Sequence, residues 1–112
     1  MQEFMLLMKG DDSNEITPDE MQKRMLDYRT WMEGVMGDDK YSAGQPLLPT
    51  GKHLVDKETV LTDGPFLEPK EIIGGYIIIK ANDIDDAVEI AKTCPLIRHC
   101  EIFVRPIMNV PE

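Results

Sequence analysis

The chain has too few cysteines for a disulfide framework, Cys94 and Cys100 being its two, and this usage points to a reducing cytoplasm. Long apolar runs are missing as well. The most apolar stretches, residues 4–8 and 76–79, fall far short of the ~20 residues that span a bilayer. No basic segment followed by an apolar one opens the chain, as a secretion signal would require. Cations are scarce, with 12 Lys and Arg against 21 Asp and Glu and a formal net charge of -9. Phosphate backbones and anionic membranes select clustered Lys and Arg, so direct nucleic-acid binding and membrane adhesion are disfavoured. A cationic or neutral small molecule, or a protein partner, suits the acidic field better. Aromatics make up only 6% of residues, and eight Met carry part of the apolar load as flexible, volume-filling side chains. A Gly-rich phosphate loop, a nucleophile elbow and a dinucleotide fingerprint are all absent, and no cofactor is implied.

What is present fits one domain over residues 1–112, long enough for a single core. Residues 1–9 form a first strand, whose unbroken apolar run 4–8 predicts burial on both faces. A helix follows, opened by a Thr17…Glu20 capping box with Pro18 at the first helical position and an Ile16/Met21 staple. Met21, Met25, Tyr28, Met32 and Val35 recur at helical spacing as one apolar stripe, and Gly37 is the natural stop. A short strand over 41–43 leads to a hairpin of 53–55 and 59–61 around Asp56-Lys57-Glu58. Residues 72–80 make a long strand, in which Gly74-Gly75 predicts a bulge or a close approach by another group. A second helix starts at the N-cap Asp83 and ends at Pro95, and 100–105 is the last strand.

This split β-α-β order predicts an α+β, ferredoxin-like antiparallel sheet with two helices on one face and an inserted hairpin. Two helices cover one face only, whereas residues 4–8 and 76–79 send large apolar side chains to both. A second copy packed on the open face would cover it, so a homodimer is expected.

The run Leu61-Thr62-Asp63-Gly64-Pro65-Phe66, then Glu68, Lys70-Glu71 and Gly74-Gly75-Tyr76, resembles the signature of the DGPF branch of the YCII-related family. Tyr28, Ala43-Gly44, residues 87–95 and 101–106 are similar to the same family, so the resemblance covers nearly the whole chain. It implies a dimeric α/β barrel of ferredoxin-like halves and a small-molecule pocket. Some relatives pair a His of the first helix with an Asp near the cavity. Here that helix holds Asp27 and Tyr28 and no His.

Asp63 is the leading candidate for chemistry, as a general base at a strand-to-loop corner; the same carboxylate can instead cap its own turn, with Phe66 anchoring the loop. His99, before the last strand, is a second acid/base candidate or a plain surface His. Tyr28 is a core Tyr whose hydroxyl can reach a cavity rim and replace the His of relatives. Phe66, Lys70 and Arg105 are ligand-binding candidates; Lys70 is equally a solvated strand flank, and Arg105 an ion-pair partner for Glu101. Cys94, His99 and Cys100 match no zinc spacing, and no metal site is expected. Two functions follow. One is a cofactor-independent isomerase or lyase using Asp63. The alternative is a non-catalytic, dimeric ligand-binding or regulatory module.

Overall fold

The computed structural model describes residues 1–10, 16–48, 50–62 and 72–110. Along them run β1 (Gln2–Lys9), α1 (Pro18–Gly37), β2 (Tyr41–Pro46), β3 (Lys52–Leu54), β4 (Val60–Thr62), β5 (Ile73–Ala81), α2 (Ile84–Lys92), a 3-10 turn (Pro95–Arg98) and β6 (Glu101–Pro106). The strands β2-β5-β1-β6 form one antiparallel sheet in that order, while among the described residues β3 and β4 pair only with each other. This is the ferredoxin-like arrangement expected from the element order, with the hairpin inserted between β2 and β5.

Local chemistry sets the helix ends. The Thr17 hydroxyl accepts from the Glu20 amide at 3.2 Å, half of a capping box, with Pro18 following it. At α2 the Asp83 carboxylate accepts from the Asp86 amide at 2.8 Å, and Asp86 accepts in turn from the Asn82 amide at 2.9 Å. Among the described residues no helix is long and apolar enough to cross a membrane.

The core lies between sheet and helices. Phe4, Leu6 and Met8 on β1 meet Ile77, Ile79 and Ala81 on β5, and Val35, Ala87 and Ala91 close over them from the helices. Their register, Phe4 opposite Ile79 and Leu6 opposite Ile77, puts all of them on one face. The expectation that β1 is buried on both faces needs correction within one chain. Phe4, Leu6 and Met8 are buried while the odd positions are half-buried, because the helices occupy a single layer. The other face carries Met5, Leu7, Tyr76, Ile78 and Phe103, with Phe103 44% exposed.

The stripe on α1 is likewise divided. Val35 is buried, but Met25 is 51% exposed, since the first half of the helix does not rest on the sheet. Trp31, outside the expected stripe, packs on the core and donates from Nε1 to Thr93 Oγ1 at 2.7 Å, tying α1 to the end of α2. Between β1 and β5 the register slips at Met8/Lys9, so that Gly74 is the extra residue of a bulge.

Candidate functional site

Where α1 lifts away from the sheet, a cavity of about 390 Å³ opens. The helix supplies Met21, Arg24, Met25 and Tyr28 as one wall. The sheet supplies the floor through Met8, Gly75 and Ile77, and the segment from Gln45 to Leu48 forms the edge-strand side. Leu96, His99 and Cys100 close the far end, with Gly10, Ile72 and Gly74 at the mouth of the bulge. Its lining is mostly apolar with a few convergent polar groups, the usual make-up of a small-molecule site, and its volume is at the small end of the usual range.

The polar groups differ in what they can do. Burial pushes the Tyr28 hydroxyl well above its ordinary 10.0, with the neighbouring Tyr41 hydroxyl adding to the shift by charge and by a hydrogen bond. Burial and this neighbour together keep Tyr28 protonated at neutral pH. Its ring is tilted against Trp31 at a centroid distance of 6.0 Å, which holds the side chain against rotation. Arg24 brings a guanidinium, four residues before Tyr28 and therefore on the same helical face. The Cys100 thiol donates to the Leu96 carbonyl at 3.2 Å. Cys94, fully buried behind the turn, has its thiol raised from 9.0 to about 11, mainly by desolvation, and is not a nucleophile there.

Two of the candidates from the sequence, Tyr28 and His99, stand in the cavity wall. Arg105 does not. It is exposed on the opposite face of the sheet, across from Met5. Asp63, Phe66 and Lys70 lie outside the described residues. Arg24 was not singled out from the sequence. The available signal was its place between Met21 and Tyr28 on the stripe, a cation where an amphipathic helix should be apolar. Among the described residues, no three His, Cys, Asp or Glu side chains are grouped to hold a metal ion.

Comparison with known proteins places these features in a wider group. The family model of the YCII-related domain matches residues 2–111. No curated protein matches the chain. Among solved structures, the fold is similar to that of 5-chloro-2-hydroxyhydroquinone dehydrochlorinase (TftG) from Burkholderia phenoliruptrix AC1100, in complex with 2,5-dihydroxybenzoquinone. The match has a TM-score of 0.60 at 14% sequence identity and covers 96% of this chain and 95% of that one.

Proposed function

Because the chain belongs to the YCII-related domain family, we propose that its cavity binds a small molecule and runs cofactor-independent acid–base chemistry on it, as an isomerase or lyase. The observation that carries this reading is the meeting of Arg24, Tyr28 and His99 over an apolar floor in one cavity. The apolar walls take the body of a ligand, and Arg24 favours an anionic oxygen on it. The complex with 2,5-dihydroxybenzoquinone in the structurally similar dehydrochlorinase supports a compact ring with acidic hydroxyl and carbonyl oxygens as the first ligand class to test. Asp63 is assigned the proton-transfer role. A carboxylate suits abstraction of a proton from carbon or oxygen.

The test is a thermal-shift panel of 2,5-dihydroxybenzoquinone and small aromatic acids against wild type, Asp63→Ala and Arg24→Gln. A ligand at about 100 times its Kd should stabilise the wild type by about 2.7 kcal/mol. Arg24→Gln should lose most of that shift, and a parallel chromatographic assay of the panel compounds should show conversion by wild type that Asp63→Ala loses. Identical responses from all three proteins would remove this assignment.

A second reading draws on the missing first-helix His and the half-exposed apolar sheet face. It is a dimeric module that binds ligand without converting it. Two copies packing Leu7, Tyr76, Ile78 and Phe103 against each other would cover that face. Light scattering at micromolar concentration should return twice the monomer mass; a monomer would end the dimer proposal. Ligand binding with no change in the ligand over hours favours the module.

A further inference from the structure

On the helix-covered face of β5, every second position is filled by a side chain except one. Ile77, Ile79 and Ala81 are buried there, and Gly75 takes the next place along, opposite Met8 of β1. A side chain at 75 would stand under the first half of α1, in the space that Met8, Gly75 and Ile77 line together. Protein interiors close-pack, and a sheet and helix in ordinary contact leave no such gap. The cavity therefore exists by subtraction, at a residue that weakens the strand it interrupts.

We infer that Gly75 is the specificity-determining residue of this site. It sets the clearance between sheet and helix, so that the cavity takes a flat ligand laid against bare backbone and rejects one with bulk out of the plane. The inference rests on the ligand-binding reading above and adds the shape of the ligand to it. The surroundings define what a substitution does. A Cβ at position 75 would come 3.1 Å from the Gln45 carbonyl oxygen and 3.4 Å from Pro46 Cα. Both belong to β2, which among the described residues is an edge strand of the four-stranded sheet with no neighbour on its outer side, so it can yield by a few tenths of an ångström. Alanine is thus accommodated with a raised floor, whereas valine also fills the cavity.

The experiment is calorimetric titration of wild type, Gly75→Ala, Gly75→Val and Met8→Ala with 2,5-dihydroxybenzoquinone and the same ring bearing methyl, isopropyl and tert-butyl groups. Gly75→Ala should widen the preference for the flat ring over the tert-butyl ring by about 10- to 200-fold, the effect of a methylene-sized change in a pocket. Gly75→Val should abolish binding of every member. Met8→Ala removes bulk from the facing strand at the same height, so it should narrow the preference, and it carries the test should the Gly75 variants fail to fold. Affinities unchanged across the series in folded Gly75→Ala, or an unchanged preference in Met8→Ala, would overturn the inference while leaving the ligand site standing. Wild type binding none of the rings would overturn both.

Discussion

Arg24 and Tyr28 share one face of α1, and the cavity makes different demands of them. Arg24 offers a guanidinium to a ligand oxygen, so its replacement by Gln should cost about 1.5–3 kcal/mol in binding an anionic ligand, measurable by titration calorimetry. Tyr28 is held protonated by burial and by Tyr41, and Cys94 by burial. The sign of the resulting pH dependence follows. Both groups have folded pKa values above their unfolded ones, so above pH 9 the unfolded chain sheds protons that the folded chain keeps. Their contribution to stability is complete below 9.0 and declines as pH rises through 9.0 towards about 11 for Cys94, and from 10.0 upward for Tyr28. Urea midpoints measured across this range should fall, and Cys94→Ala should remove the first part of the decline. A midpoint flat beyond pH 10 in wild type would contradict the burial of both groups.

Among the elements, the two helices depend on their caps unequally. α1 has 20 residues and α2 only nine, a length that is marginal without tertiary support and caps. Asp83→Ala should cost about 1 kcal/mol by denaturant unfolding, because it frees the Asp86 amide at the start of the shorter helix. The hairpin has a different support. The Asp56 carboxylate accepts from the amides of Glu58 and Thr59, both at 2.9 Å, and these bonds hold its pKa below the ordinary 3.8. A depressed carboxylate stabilises above its unfolded pKa, so the turn loses this support as pH falls below 3.8. Faster amide exchange at Glu58 and Thr59 in Asp56→Ala would register the loss, and unchanged exchange would show the turn to be held by β3–β4 pairing alone.

At the scale of the whole molecule, one layer of helices on one sheet leaves a body only 20 Å thick along its shortest axis. The closed face is the strong one. Leu6 is fully buried, and Leu6→Ala should destabilise by about 2–5 kcal/mol in denaturant unfolding. The open face is where the dimer proposal is decided. Leu7→Lys places a charge among Tyr76, Ile78 and Phe103, so light scattering should show a monomer while far-ultraviolet dichroism stays unchanged. A dimer that survives this charge would have to use some other surface.

The sequence by itself determined the element order, both N-caps, the Gly74-Gly75 interruption and the ferredoxin-like sheet, because each rests on local periodicity, capping or turn chemistry. It also nominated Tyr28 and His99, which the fold brings into the lining of one cavity from 71 positions apart (99 − 28). It did not distinguish which apolar residues of α1 reach the core, since Val35 and Met25 follow the same period and only the lift of the helix from the sheet separates them. Nor did periodicity reveal that Arg24 lines a cavity, or that Arg105 faces away from it. Those outcomes depend on strand register and on the missing side chain at Gly75, and both come from contacts between residues distant in the chain.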